Sequence, residues 1–172
     1  MRRPLDPERL RRVLAELGRS CRGGGTIYVT GGATALLEGW RSSTVDVDLK
    51  LDPEPEGAFE AIRRIKESLE VNIELASPDH FLPELHDWRQ QSPFIGRFGL
   101  VDFHHYDLRA QALAKLARGF DRDVADVHAM LERRLIGCEA LHLALEEMAP
   151  RLERFPRVDP AELRARLAEV CP

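Results

Sequence analysis

Two aspartates one residue apart, Asp46-Val47-Asp48, are the clearest chemical feature of this chain. In an extended strand residues i and i+2 project from one face, so the two carboxylates are expected side by side. Like charges held together repel, and each is disfavoured unless something positive sits between them. Mg²⁺ suits such a pair, because it is bound through one or two carboxylates together with substrate phosphates and water. Upstream, Gly31-Gly32 closes the run Thr26-Ile27-Tyr28-Val29-Thr30. Glycines at a strand end let the backbone approach a ligand, and a helix starting at Ala33 would offer unpaired amides and a positive dipole end to phosphate. Glu74 supplies a third acid from the short alternating segment Val71–Leu75, where it shares a face with Asn72; Asp102, in the middle of Leu100–Tyr106, is its rival. A third acid from a neighbouring strand is what a two-metal phosphoryl-transfer site requires. The plain alternative is a solvated strand face with Lys50 and Arg41 as ion-pair partners, since exposed charge is normal.

These groups need elements to hold them. Residues 6–20 predict a helix, capped by Asp6 with Pro7 in its first turn and with Leu10, Val13, Leu14 and Leu17 at helical spacing. After Gly23-Gly24-Gly25 comes the strand 26–30, then a short helix from Ala33 to Glu38 stopped by Gly39. Thr44–Leu51 alternates, with Val45, Val47, Leu49 and Leu51 on the apolar side and Thr44, Asp46, Asp48 and Lys50 on the other. Gly57–Glu70 reads as a helix with Phe59, Ile62, Ile65 and Leu69 inward. An irregular connection runs through Ser77-Pro78-Asp79 and Leu82-Pro83, and Phe94–Phe98 with Leu100–Tyr106 reads as a hairpin about Gly99. Beyond Asp107 everything is helical: Leu108–Arg118 with Leu113, Leu116 and Phe120 as its apolar side, about 121–135, Glu139–Leu152, and a last helix capped at Asp159-Pro160. Leu141, Leu145, Leu163 and Leu167 pack inward or against a second copy. The expectation is an α+β chain, one domain over 1–172, with an α/β core at 20–107 and a helical C-terminal part at 108–172.

Composition bounds the function. With 172 residues, 44% hydrophobic and 31% charged, the chain can bury its own core. It has no stretch near the ~20 apolar residues of a membrane span, and no apolar leader follows Met1-Arg2-Arg3-Pro4, so no membrane and a cytoplasmic location are expected. A net charge of -4 argues against a long polynucleotide, while a local patch of Arg97, Arg118 and Arg122 is suited to one phosphate-rich end. Cys21, Cys138 and Cys171 are too few and scattered for a disulfide framework, and are expected to be ordinary thiols. His104 and His105 face opposite sides of a strand, so they cannot chelate one ion together; His80, His86 and His128 have no placement from sequence.

Thr30-Gly31-Gly32-Ala33-Thr34-Ala35-Leu36-Leu37, followed by Arg41-Ser42-Ser43-Thr44-Val45-Asp46-Val47-Asp48-Leu49, resembles the glycine and double-aspartate motifs of the polymerase-β-like nucleotidyltransferase superfamily. It resembles most the minimal bacterial branch that includes the toxin components of type IV toxin–antitoxin pairs. The later runs Gln111–Arg118 and Arg122-Asp123-Val124-Ala125-Asp126-Val127 resemble that branch's downstream lysine and Arg-Asp-x-x-Asp helices, and the likeness covers roughly residues 25 to 130. It implies a nucleotidyltransferase fold, a small mixed sheet flanked by helices. It also implies Mg²⁺-dependent transfer of a nucleoside monophosphate from a nucleoside triphosphate. The implied metal ligands are Asp46, Asp48 and Glu74, with Lys115 the further catalytic group. The implied nucleotide contacts are Gly31, Gly32, Ala33, Arg41, Thr44 and Arg118. An RNA end such as tRNA, a protein hydroxyl or a small molecule would accept the nucleotide, and an antitoxin-like protein would be a partner. Gly31-Gly32 stands where many active members carry Gly-Ser, with Thr34 or Thr44 as replacement hydroxyls, and Glu74 stands where an aspartate is usual. Both departures favour the second reading, a catalytically inactive module of the same fold that binds a nucleotide or a protein partner. A phosphohydrolase is the third, and lacks a histidine-aspartate cluster at ligand spacing.

Overall fold

A computed structural model describes residues 4–172, as seven α-helices and five β-strands. In chain order they are α1 (Pro7–Ser20), β1 (Gly25–Thr30), α2 (Gly31–Leu37), β2 (Asp46–Leu51), α3 (Ala58–Ser68), β3 (Asn72–Leu75), β4 (Phe94–Phe98), β5 (Val101–His105), α4 (Leu108–Arg118), α5 (Asp121–Glu132), α6 (Cys138–Met148) and α7 (Pro160–Val170). Short 3₁₀ turns lie at Pro78–His80 and Ala149–Arg154. The fold is α+β, with one small mixed sheet flanked by helices. The chain folds as two compact units, one built of residues up to Ser77 with Ser92–Tyr106, the other of Pro78–Gln91 with Asp107–Pro172.

The first unit holds the sheet, in the order β3-β2-β1-β5-β4. β1 runs antiparallel to β2 and parallel to β5, and β2 runs parallel to β3. The β4–β5 hairpin turns at Gly99, whose φ of 62° is one that glycine adopts without strain. Alternation puts Ile27, Val29, Val47, Leu49, Ile73, Val101 and Phe103 on one face, in a core with Leu10, Val13, Leu14 and Leu17 of α1 and Ala61, Ile62 and Ile65 of α3. α1 begins as expected: Asp6 accepts a hydrogen bond from the Arg9 amide at 2.8 Å, and Pro7 needs no amide partner in the first turn. Two expected core positions are corrected. Phe59 is 52% exposed because α3 turns it away from the Ile62–Ile65 stripe, and Val45 is exposed because β2 begins only at Asp46.

In the second unit α4 packs on α5, α6 and α7, and Leu141, Leu145, Leu163 and Leu167 are all buried. The irregular stretch 78–91 belongs with these helices and carries buried Leu82, Leu85 and Trp88. Phe120 corrects a third core expectation. Gly119, at φ 69°, ends α4, so Phe120 lies beyond that helix's apolar side and stays 67% exposed at the cap of α5. The cysteine reading is corrected as well: Cys138 at the start of α6 is disulfide-bonded to Cys171 just past α7, and only Cys21 is a free thiol. A separation of 33 residues carries no spacing signal, and only packing of the two helix ends brings the sulfurs together. Burial pushes the Cys21 thiol above its ordinary pKa. Among the described residues no helix is long and apolar enough to cross a membrane.

Candidate active site

Register assembles the acids. Asp48 stands opposite Thr30 on β1 and opposite Glu74 on β3, and Asp46 stands opposite Asn72. Facing positions on paired strands share a side, so Asp46, Asp48, Asn72 and Glu74 all project from the face opposite Val47, Leu49 and Ile73. The buried Asn72 amide nitrogen donates to Asp46 Oδ1 and to Glu74 Oε1, each at 2.7 Å. Asp46 and Glu74 are exposed, and neither carboxylate has a cationic partner among the described residues. The acids are neighbours without yet being a ligand sphere: among the described residues no group of three or more His, Cys, Asp or Glu side chains is placed to hold a metal ion.

The glycine turn meets this cluster. Gly31 has φ 63°, and a Cβ there would come within 2.9 Å of Asp48 Oδ2. A Cβ on Gly32 would lie 2.5 Å from Thr44 Oγ1 and 3.4 Å from an Arg41 guanidinium nitrogen. Bare backbone at both positions is therefore what lets Asp48, Thr44 and Arg41 crowd the end of β1. Thr44 is fixed by a two-way backbone bridge to Leu5 (2.7 and 3.1 Å), and its hydroxyl donates to the Asp46 carbonyl at 3.1 Å. α2 begins directly at Gly31 and has only seven residues, so its dipole adds little and Arg41 brings the full positive charge. Ala33 is buried in the first turn of α2 and offers backbone alone.

Asp102 is elsewhere. It pairs in register with Thr26, four residues from Thr30 along β1, or ~13 Å at strand rise. Arg97 grips it with two hydrogen bonds of 2.6 and 2.9 Å, which hold its carboxyl below the usual range. Of the two rivals, Glu74 is the one beside Asp48.

Under the turn, on the core face, lies a histidine to which the sequence reading gave no role. His105 Nε2 is 2.9 Å from Glu38 Oε1, and its Nδ1 is 3.0 Å from the Thr34 hydroxyl, linking β5 to the middle of α2 and to its C-cap. Burial, with a smaller contribution from His104, lowers its pKa from 6.5 to about 4. The Glu38 carboxylate opposes that shift, but its partial exposure weakens its pull and burial prevails. A neutral ring, with the Nε2 proton directed at Glu38, leaves Nδ1 to share the single Thr34 hydroxyl hydrogen with the Val29 carbonyl, to which that hydroxyl donates at 3.1 Å. The available signal was alternation, which sets His105 on the same face as buried Val101 and Phe103. His104 faces the other way, bonded through Nδ1 to the Ser92 carbonyl at 2.8 Å and flanked by the rings of Tyr28 and Phe94.

Lys115 and Arg118 belong to the second unit. Lys115 is buried, its ammonium 2.6 Å from Asp126 and 3.8 Å from Asp123. Arg118 donates to Asp123 at 2.6 Å. Asp126 thus serves Lys115.

The chain matches no protein-family model, no curated protein and no solved structure.

Proposed function

We propose that this chain has the nucleotidyltransferase fold and transfers a nucleoside monophosphate from a nucleoside triphosphate to an acceptor hydroxyl, with pyrophosphate as the leaving group. The observation that supports this best is the meeting of Asp46 and Asp48 with Gly31, Gly32, Thr44 and Arg41 at one end of β1. Carboxylates crowded on one face with only a neutral amide between Asp46 and Glu74 suit a divalent cation, and Mg²⁺ accepts two carboxylates when phosphates complete its sphere. Asp46 and Asp48 would hold it, with Glu74 on the adjoining strand. When bound, Mg²⁺ supplies charge neutralisation at the phosphates and lowers the pKa of a coordinated hydroxyl.

The chain's own groups do the rest. Arg41 and Thr44 bind phosphate oxygens at the turn, which both approach closely because Gly32 carries no Cβ. Glu74 draws the proton from the acceptor hydroxyl. His105, Thr34 and Glu38 fix α2, and with it the turn, against the sheet. Lys115 keeps α4 and α5 in register through Asp126. The acceptor classes are an RNA end such as tRNA, a protein hydroxyl or a small molecule, and an antitoxin-like protein is the partner class that goes with the toxin branch.

Incubation with labelled nucleoside triphosphates, Mg²⁺ and cell extract tests the reading. Labelled product is expected, falling by at least ~10³-fold, or about 4 kcal/mol of barrier, in Asp48→Asn or Asp46→Asn. No labelled product, or a wild-type rate in Asp48→Asn, overturns it. The second reading, a nucleotide-binding module without turnover, is favoured by one observation: the Asn72 amide occupies the space between two of the three acids. Calorimetry separates the two, since nucleotide binding that persists in chelator without turnover and is lost in Arg41→Gln, a residue of the turn, belongs to the second alone.

A further inference from the structure

The helical unit carries a groove that the proposed reaction does not employ. It encloses about 600 Å³ and is lined by Phe81, Phe120 and Phe155 together with Arg118, Arg154 and Arg157. That is the size range of small-molecule sites, which are mostly apolar with a few placed polar groups. Phe120 is 67% and Phe81 43% exposed, leaving aromatic faces in water that a planar ring can cover. Arg154 and Arg157 are exposed and make no hydrogen bond or ion pair among the described residues. Arg118 has one carboxylate partner, Asp123, and its side chain remains 49% exposed. Three guanidiniums beside three phenyl rings thus meet only one acid among the described residues.

We propose that this groove binds a mononucleotide, its base stacked on the phenylalanines and its phosphates held by Arg154 and Arg157. Guanidinium forks match phosphate oxygens in pairs, and a base offers a π-face to aromatic side chains whatever its identity. A polynucleotide is disfavoured, because it needs a basic track beyond the groove, whereas the chain has 29 acidic against 25 basic residues. The inference uses no residue of the sheet face, and stands whether or not Asp46 and Asp48 support transfer.

Calorimetry of the full chain with AMP in chelator tests it. Saturable one-to-one binding is expected, weakened at least about tenfold in the double variant Arg154→Gln/Arg157→Gln and about fivefold or more in Phe120→Ser. All three positions are exposed, so the fold is expected to be kept, with circular dichroism as the check. Asp48→Asn is expected to bind AMP as wild type does. No saturable binding of AMP, equal binding of ribose 5-phosphate, or unchanged affinity in the groove variants overturns the proposal. Loss of AMP binding in Asp48→Asn also overturns it, by placing the ligand at the sheet. A tetraribonucleotide bound more than about tenfold tighter than AMP replaces the mononucleotide with a single strand.

Discussion

The acids of the sheet face and the acids of the helical unit are the same kinds of residue in opposite circumstances. Asp123 and Asp126 are buried, and Lys115 and Arg118 reach them at 2.6 Å. Asp46 and Glu74 are exposed and share one neutral amide. In the helices, each acid meets a cation of the chain itself, an arrangement that ties α4 to α5. On the sheet, charge is left for something from outside. The comparison teaches that a group of carboxylates is read as a site from its partners, not from its composition.

The sharpest break of that comparison is Lys115→Met. If the helical cluster is a closed ion pair, removing the cation leaves Asp126 charged in a buried place. The expected cost is about 3–5 kcal/mol. Adding Asp126→Asn to Lys115→Met should restore most of it, because both charges are then gone. Urea unfolding of the single and double variants measures this. A loss under about 1 kcal/mol in Lys115→Met would mean that the pair is effectively solvated and the two clusters are alike. Asp123 adds a detail: its Oδ2 is buried without a hydrogen-bond partner, in the first turn of α5, where the helix dipole favours negative charge.

Local pattern carried most of this architecture. Strand alternation placed Asp46 and Asp48 on one face, caps at Asp6 and Asp159 marked helix starts, and Gly31-Gly32 marked the turn. What sequence could not carry was anything set by pairing between distant segments. The choice between Glu74 and Asp102 depended on strand order, which puts β3 beside β2 and β5 across β1. The Asn72 bridge depended on register, and the Cys138–Cys171 bond on how two helix ends pack. Phe59 and Phe120 failed as core positions because helical phase was extended past the residues that obey it.

A second, smaller test stays within the sheet. Its two faces handle charge differently, since burial on the core face favours His105 as a neutral ring. The folded pKa, about 4, lies below the ordinary 6.5. The unfolded chain therefore binds the proton more readily, and stability present above pH 6.5 declines as pH falls toward 4. Between pH 7 and pH 5 the expected loss is about 2 kcal/mol. His105→Gln, which keeps hydrogen-bonding capacity without titrating, should be less stable at pH 7 but flatter across that interval. Denaturant midpoints at pH 7, 6 and 5 measure it. Parallel slopes for the two proteins would show that His105 charges freely and that the core face is wetter than its burial implies.

The smallest effect probes the sheet face directly, through Asn72. Its amide gives one hydrogen bond to Asp46 and one to Glu74, the weakest neutralisation that two neighbouring carboxylates can receive. Asn72→Asp keeps the shape and adds a like charge between them. In chelator the variant should be less stable by roughly 1 kcal/mol, the scale of like charges opposed across strands. Mg²⁺ should then reverse the loss, raising the melting temperature of Asn72→Asp more than that of wild type, because the added carboxylate strengthens a cation site. Thermal melts with and without Mg²⁺ read both effects. If chelator leaves the variant as stable as wild type, water screens these acids as it screens any surface charge. If the cost appears and Mg²⁺ does not reverse it, the face gathers negative charge without taking the ion, and the module that binds without turnover becomes the better account.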